Sequence, residues 1–304
     1  MQTFTFIVAK EDNNPRLDIY LAQALPQPIS RTFIQHLIAQ GRGRVNATPV
    51  KSHRKIKEGD RIVVELESPA PQKLHPENIP LEIIYEDADI LVINKPVGMV
   101  VHPAAGNYSG TLVNALLYHC EKLSDLNHPL RPGIVHRLHK DTSGVMVVAK
   151  NNASHIALAR QFEEHSIRRK YVALVDGLVE FDEGMVDMPL GRHARDREKM
   201  AVTFTKSREA QTEYKVVKRL GDKTLLEIFP RTGRTHQIRV HLAYLGHPVL
   251  GDKKYGMATS FTRLALHAQT LGLVHPTQGR HMEFNSDLPP EFQEFCNHIT
   301  PTRP

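Results

Sequence analysis

The sequence predicts an α+β protein built from a small amino-terminal unit and a larger domain. Runs rich in β-branched residues are interspersed with segments of helical periodicity along its 304 residues. Two such runs, 211–220 and 223–230, flank Gly221-Asp222 and predict a β-hairpin. Residues 69–80 contain four prolines and no periodic pattern, which is typical of a linker. The predicted parts are an amino-terminal unit over 1–68, the linker over 69–80 and a larger domain over 81–304.

The composition is that of a folded globular protein with a basic surplus. Hydrophobic residues make up 40% of the chain, and 39 Lys and Arg against 33 Asp and Glu give a net charge of +6. Such a surplus permits a polyanionic partner without requiring one. The chain does not open on a basic start followed by an apolar core, and no window reaches the ~18 apolar residues of a membrane span. We therefore expect a cytoplasmic protein with no membrane partner, whose two cysteines are reduced thiols.

Two helices and two strands are predicted in the amino-terminal unit. Apolar residues recur at helical spacing over 16–25. A second helix over 32–40 follows Ser30, a typical N-cap, and ends before Gly41. The predicted strands are 44–46 and 60–67.

This unit also contains a block of basic residues. From residue 31 to 57 there are no Asp or Glu and seven Lys or Arg, which are Arg31, Arg42, Arg44, Lys51, Arg54, Lys55 and Lys57. Clustered cations suit a phosphate backbone, although a solvated surface that binds nothing has the same composition. The order of RLD, SR, an IAQG helix end, VN and GDRI resembles the alpha-L RNA-binding motif, with Ala47 where that motif usually has glycine. The resemblance implies that the seven residues bind RNA.

The larger domain is predicted to begin with a buried strand, ILVIN, which ends at Lys95-Pro96 because proline cannot donate a hydrogen bond to a sheet. A helix follows in TLVNALLYHC. Two short buried strands, 133–135 and 145–149, then enclose a polar segment, and polar residues at such strand ends are often functional. The remaining predicted elements are a helix over 151–166, a strand over 168–177, and a helix from Thr235, as its N-cap, to Leu245.

Two polar segments, 131–150 and 231–256, are compatible with several kinds of site. They contain histidines, but no HExxH motif, cysteine pair or suitably spaced carboxylate accompanies them, so we expect no metal. A serine hydrolase built on Ser143 would need a GxSxG turn, and a phosphate loop would need GxxxxGK followed by Ser or Thr. Neither motif is present.

Arginine is the abundant residue in these segments. Arg137, Arg231, Arg234 and Arg239 accompany one tyrosine, Tyr171, on the strand between them. The guanidinium fork suits phosphate oxygens and carboxylates, and a tyrosine ring suits a base taken out of its stack. The residue types therefore favour a site for RNA.

Motifs throughout the larger domain resemble those of a known family. In chain order, the segments that resemble motifs of the pseudouridine synthases named for ribosomal large subunit enzymes A, C and D are INKPVGMVVHPAAGN, GIVHRLHKDTSG with an apolar strand after it, RRKYVALVDG, RTGRTHQIRVHL and GHPVLGDKKYG. The alpha-L-like unit makes the likeness greatest to the enzyme D members. The resemblance implies a pseudouridine synthase fold with a long, mostly antiparallel sheet. It also implies an isomerase without a cofactor that acts on RNA, with ribosomal RNA favoured over transfer RNA. A monomer is the default expectation.

Family roles are transferred by position. The aspartate that ends the family's HRLD motif is its essential group. Tyr171 would contact the flipped uridine and assist proton transfer, and Arg234 would pair with the catalytic carboxylate. Arg137 would hold or displace the flipped base.

The chain has His139 where the resemblance implies the catalytic aspartate. An imidazole cannot supply a carboxylate nucleophile. Asp141 is ~6.6 Å further along an extended chain, whereas reacting atoms must approach to ~3–3.5 Å. Three interpretations remain open: a pseudouridine synthase impaired at His139, an active enzyme whose sequence carries a one-base codon change from Asp to His, and an RNA-binding or ribosome-assembly factor on the same scaffold. We expect this chain to make no pseudouridine, and His139→Asp to restore activity.

Overall fold

Residues 1–73 and 74–304 form separate units in the computed structural model. The structure describes residues 2–12, 15–26, 29, 31–66, 74–104, 106–126, 129–257, 259 and 261–298. The predicted N-cap Ser30 and part of the predicted linker, 69–73, lie outside the described residues. The rest of that linker, 74–80, contains no helix or strand.

Two helices and a four-stranded antiparallel sheet make up the first unit. The elements are β1 (Gln2–Ile7), α1 (Leu17–Ala24), α2 (Arg31–Ala39), β2 (Gly43–Val45), β3 (Thr48–Pro49) and β4 (Arg61–Leu66). The strand order is β1-β4-β2-β3. Alternate residues of β4, Ile62 and Val64, are buried against Leu17 and Leu21 of α1 and Ile34 of α2. The two predicted helices and two predicted strands are confirmed, whereas β1, which pairs with β4 along its length, had no counterpart in the prediction.

A two-residue turn joins β2 to β3. Asn46 and Ala47 have φ angles of 51° and 63°, and Val45 pairs with Thr48 across the turn. Two successive residues in the left-handed region are typical of a type I′ hairpin turn. The Asn46 amide is fixed by two hydrogen bonds, to Asp60 at 2.8 Å and from the Arg61 amide at 2.9 Å. Ala47 has a Cβ in a conformation that costs an L-residue about 1–2 kcal/mol.

The second unit is built on a nine-stranded sheet. Its elements are β5 (Glu82–Glu86), β6 (Ile90–Lys95), α3 (Leu112–His119), β7 (Ser143–Ala149), α4 (Asn152–Glu163), β8 (Arg168–Asp176), β9 (Glu183–Asp187), β10 (Leu190–Arg192), β11 (Met200–Val202), β12 (Gln211–Leu220), β13 (Lys223–Pro230), α5 (Gln237–Tyr244), β14 (Leu266–Val274), β15 (His281–Asn285) and α6 (Pro290–His298). The order is β5-β6-β7-β14-β8-β13-β12-β9, with β15 on β14, and β10 with β11 forms a separate hairpin. In the described part of the chain, β7 with β14 is the one parallel pair of this sheet. The predicted α+β class with a long, mostly antiparallel sheet is confirmed.

The first of the two predicted central strands is wrong. Residues 133–135 form a turn in which Gly133 has a φ of 71° and Ile134 makes a single bridge to Val148. A Cβ on Gly133 would lie 2.7 Å from the Val148 side chain, so glycine allows this turn to lie against β7. The second strand is present as β7, and all seven of its residues are buried.

The predicted N-cap of α5 is also wrong. The cap is His236, whose φ is 59°, and not Thr235. The turn before it is closed by the Gln237 side chain, whose Oε1 accepts from the Thr232 hydroxyl at 2.7 Å and the Arg234 amide at 2.9 Å. A positive φ in a non-glycine residue is costly and often marks a functional site.

None of the helices in the described ranges has the length and apolar character needed to cross a membrane.

Candidate active site

The segment before β7 forms a turn that holds His139. The Thr142 amide donates to the His139 carbonyl at 3.1 Å. The Gly98 amide donates to the Lys140 carbonyl at 2.8 Å, which fastens the turn to the loop after β6. His139 therefore sits on backbone that is fixed from two sides.

Lys95 reinforces this attachment from inside the protein. Its side chain is fully buried, and its ammonium donates to the carbonyls of Pro96 at 2.7 Å, Met99 at 3.0 Å and Lys140 at 3.2 Å. Burial lowers the pKa of Lys95 to about 7. Three carbonyl acceptors match the three donors of an ammonium group, so Lys95 ties the loop after β6 to the turn before β7.

A cavity of about 600 Å³ lies beside the turn. Volumes of ~300–1,000 Å³ are typical of small-ligand sites. The four residues predicted for the catalytic domain, Arg137, His139, Tyr171 and Arg234, all line it. Two further arginines, Arg169 and Arg239, are on its wall, against one carboxylate, Glu163. The cationic lining favours an anionic ligand.

His139 is half-buried in this cavity and has a low pKa. Its ring lies against that of His236, with centroids 4.5 Å apart and planes tilted by 44°, and its Nε2 accepts a long hydrogen bond, 3.4 Å, from the His236 amide. Burial, with smaller contributions from His236, Arg239 and Arg137, lowers the pKa of His139 to about 3. At neutral pH the side chain is therefore an uncharged imidazole.

A buried ion pair stands behind His139. Arg239 donates to Asp252 through Nε at 2.7 Å and Nη2 at 2.6 Å, and Asp252 also accepts from the amides of Lys254 and Tyr255. Burial alone would raise the pKa of Asp252, but hydrogen bonding and the charge of Arg239 outweigh it and hold that pKa below its usual value. Arg239 thus carries a satisfied charge close to position 139.

Tyr255 extends the same network to His236. Its ring lies under the Arg239 guanidinium, 5.0 Å from centroid to Cζ, and its hydroxyl is 2.7 Å from Nδ1 of His236. The Met200 amide donates to the same hydroxyl at 2.8 Å. Neither Asp252 nor Tyr255 was assigned a role from the sequence, although both lie in the GHPVLGDKKYG motif.

The two arginines of the GRTHQIR motif differ in what they contact. Arg234 donates from Nε to the Glu209 carbonyl at 3.0 Å. The pairing predicted for it, with a carboxylate at position 139, stays a prediction because this chain has histidine there. Among the charged arginines, Arg239 has the largest effect on the pKa of His139. Both arginines belong to the motif, but the sequence alone does not show which of their side chains lies nearer to position 139.

Tyr171 and Asp141 occupy different environments. Tyr171 is half-buried on β8 at the cavity wall, and burial raises the pKa of its phenol, so it is protonated at neutral pH. Asp141 is exposed in the turn and is not part of the lining. Asp141 thus lies outside the lining of the cavity that His139 lines.

Most of the predicted RNA-binding residues of the first unit are exposed. Arg44, Lys51, Arg54, Lys55 and Lys57 project from the surface, and Arg42 is half-buried. Arg31 is exposed too, but its Nη2 donates at 3.0 Å to the fully buried Asp18. Burial tends to raise the pKa of Asp18, and hydrogen bonds from Gln35, Arg31 and Arg16 reverse this and lower it to about 2. Arg31 is thus partly committed to the fold.

In the part of the chain that the structure describes, two groups of potential metal ligands lie outside the cavity lining. Asp87, Asp89 and His275 form one, and Glu86, His119 and Cys120 form the other. Polar side chains in both groups already have protein partners: His275 pairs with Asp87 at 2.7 Å, and Glu86 accepts from Lys150 at 2.7 Å. These contacts join separate segments of the fold.

The comparison with known proteins identifies the family. A family model described as RNA pseudouridylate synthase matches residues 89–244, a range that contains His139, Tyr171 and both arginines of the GRTHQIR motif. The chain belongs to the RNA pseudouridylate synthase family. The predicted family and its isomerase class are therefore confirmed.

Relatives of the RNA pseudouridylate synthase family cover nearly the whole chain. A ribosomal large subunit pseudouridine synthase D of Zymomonas mobilis is 45% identical over 295 residues, 91% of this chain and 92% of that protein. An uncharacterized RNA pseudouridine synthase of Bacillus subtilis, YlyB, is 43% identical over 301 residues, 98% of this chain and 99% of its own. The structure of human RNA pseudouridylate synthase domain containing 1 superposes with a TM-score of 0.60 at 27% identity, over 73% of this chain and 89% of that one. The predicted pseudouridine synthase fold is confirmed.

Proposed function

We propose that this chain binds a stem-loop of large-subunit ribosomal RNA, receives one flipped uridine in the cavity, and makes no pseudouridine while histidine occupies position 139. The observation that carries the proposal is the neutral, half-buried imidazole of His139 in the cavity of a pseudouridine synthase.

Charge and size support the binding step. The cavity has four arginines on its wall and enough volume for a base with its sugar. Flipping a nucleotide costs a few kcal/mol, which contacts such as stacking on Tyr171 and hydrogen bonds from Arg137 would offset. The exposed cations of the first unit, in its proposed role as an alpha-L type RNA-binding domain, would add contacts to the phosphate backbone. Several relatives are named ribosomal large subunit pseudouridine synthase D, which favours ribosomal RNA as the partner of a cytoplasmic, monomeric protein.

His139 affects the chemical step of the reaction. The family's reaction breaks the glycosidic bond of uridine, turns the uracil and rejoins it to the ribose through carbon 5, and an ionised carboxylate is needed to start it. A neutral imidazole has no negative charge to offer, and its pKa of about 3 makes it a weak nucleophile. Arg239, fixed by Asp252, would instead hold an aspartate at position 139 in its ionised form.

The test compares three full-length versions of the chain: His139, His139→Asp and His139→Asn. Each is incubated with a transcript of large-subunit ribosomal RNA, and pseudouridine is mapped by carbodiimide labelling and primer extension. We expect pseudouridine with the Asp version alone and equal RNA binding by all three. An inactive Asp version, or a His version within tenfold of it, would refute the proposal.

The alternative is an RNA-binding or ribosome-assembly factor that never needed the reaction. The observation that favours it is that Arg239 is fully paired with Asp252, so the missing acid leaves no unpaired charge on Arg239. In cells that lack their own copy, this role predicts that the His version restores normal ribosomal subunit profiles as well as the Asp version does. A subunit defect corrected by the Asp version alone would exclude it.

A further inference from the structure

Three successive cationic residues of β8 differ in whether they pair with a carboxylate. Arg168 pairs with Glu283 at 3.1 Å, and Lys170 pairs with Glu227 at 3.1 Å. Arg169, between them, points to the opposite face of the strand and lines the cavity with Tyr171. Within the described residues no carboxylate pairs with Arg169. The middle cation is therefore the one whose charge the protein leaves uncompensated.

The guanidinium of Arg169 is nevertheless held in place. Its Nη2 donates to the carbonyls of Pro230 at 3.1 Å and Arg231 at 3.3 Å. A Cβ on Gly233 would lie 3.0 Å from Nη1, so the glycine leaves room for the guanidinium against the backbone of this segment. The fixed position lowers the entropy that a ligand contact would cost.

Arg169 also has more donors than its surroundings satisfy. Its Nε is buried and has no hydrogen-bond partner in the described part of the chain. Buried donors of this kind are rare in native proteins and are often explained by a missing ligand or water. A cationic, partly unsatisfied guanidinium on a cavity wall is suited to a bidentate oxyanion.

The chemistry of the substrate indicates which oxyanion this is. The uracil ring is neutral, and the anionic group nearest to a flipped nucleotide is its own phosphodiester. Among the neighbouring side chains, His136 is neutral with a pKa of about 3 and the Tyr171 phenol is protonated. The one carboxylate of the lining, Glu163, is exposed and forms no ion pair with Arg169 in the described structure. We propose that Arg169 binds an RNA backbone phosphate next to the uridine held against Tyr171. This inference rests on the RNA binding proposed above.

A purely structural role for Arg169 would give a different result. If it only ties Pro230 and Arg231 to β8, replacing it weakens RNA binding without changing how binding depends on salt. A phosphate contact releases counterions, so log K falls as log salt rises. Loss of one contact makes this fall shallower, by about 0.7–0.9 in the absolute value of the slope. The salt dependence therefore separates the two roles.

The experiment measures the affinity of the full-length chain for a large-subunit ribosomal RNA transcript over a range of salt concentrations. Arg169→Gln removes the charge, and Arg169→Lys keeps it but loses the fork. Arg168→Gln is the matched control, because Arg168 is the adjacent arginine, exposed and paired with Glu283. We expect Arg169→Gln to lower the slope by about 0.7–0.9, with Arg168→Gln and Arg169→Lys at the wild-type slope. Arg169→Lys should bind about tenfold more weakly, the equivalent of one charge-assisted hydrogen bond.

Each other outcome decides a specific claim. A wild-type slope in Arg169→Gln refutes the phosphate contact and leaves the proposed function standing. A wild-type chain whose RNA binding is absent or independent of salt refutes the proposed function, and this inference with it. If Arg169→Gln does not fold, Arg169→Lys decides, because unchanged affinity and slope in that variant would show that the guanidinium fork binds no phosphate.

Discussion

The His139 and His236 rings are in contact, with centroids 4.5 Å apart and planes tilted by 44°, and the His236 amide points at the Nε2 of His139. An amide donor needs an unprotonated nitrogen as its acceptor, so this contact favours the neutral imidazole. His236 can take this position because it has a left-handed backbone, with φ at 59°, and because Tyr255 holds its ring from the other side. The geometry that would serve a carboxylate at position 139 thus also accommodates a neutral histidine.

The low pKa of His139 predicts how stability depends on pH. A histidine with a folded pKa of about 3, below its unfolded value of ~6.5, binds protons preferentially in the unfolded state. The contribution of neutral His139 to the free energy of unfolding is therefore fully present above pH ~6.5 and is lost as the pH falls from there toward about 3. Between pH ~6 and ~4, we predict that His139→Asn makes the slope of the free energy of unfolding against pH shallower by ~1.4 kcal/mol per pH unit, the equivalent of about one proton. Urea unfolding over this range measures it, and an unchanged slope would show that His139 titrates normally.

Replacing the two arginines of the GRTHQIR motif should lower kcat by different amounts, because their contacts differ. In the His139→Asp background, Arg239→Lys should lower kcat about 100-fold, because it removes the fork that is fixed by Asp252 and supports the ionised acid. Arg234→Lys should change kcat less than tenfold, because Arg234 contacts a backbone carbonyl. The reverse order of effects in a pseudouridine assay would show that Arg234, as predicted from the sequence, is the partner of the carboxylate.

Lys95 is predicted to stabilise the turn that carries His139. Lys95→Met removes the ammonium group that donates to three backbone carbonyls, which should destabilise the protein by roughly 2–4 kcal/mol. Lys140→Met, an exposed neighbour, should stay within about 0.5 kcal/mol of wild type. Urea unfolding of both variants checks this, and equal midpoints would mean that the buried ammonium contributes nothing.

The turn at Ala47 should be improved by glycine. Ala47→Gly relieves a left-handed alanine, worth about 1–2 kcal/mol, and loses part of that gain to the greater flexibility of glycine in the unfolded chain. We predict a net stabilisation of about 0.5–1 kcal/mol in denaturant unfolding. The exposed Thr48→Gly, in β3, serves as a control that should destabilise. A destabilised Ala47→Gly would show that the turn is not strained.

The sequence predicted this protein well where one physical signal dominates. The hairpin at Gly221-Asp222 and the buried strand β7 follow from turn chemistry and apolar runs, and both are present. It failed at residues 133–135, because an apolar run beside a left-handed glycine can lie against a strand as a turn without joining the sheet.

The site was predicted in part. Arg137, His139, Tyr171 and Arg234 were expected together and do line one cavity. The pairing of Arg239 with Asp252, and the uncompensated charge of Arg169, depend on which way side chains leave a helix start and a strand. Motif order alone does not contain that information.

The most direct test of the account is the pseudouridine yield of the His139 and His139→Asp chains on the same large-subunit ribosomal RNA transcript. We expect pseudouridine from the Asp version and none above background from the His version, with equal RNA affinity. Comparable yields from both would contradict it, and would mean that this cavity can isomerise uridine without a carboxylate at position 139.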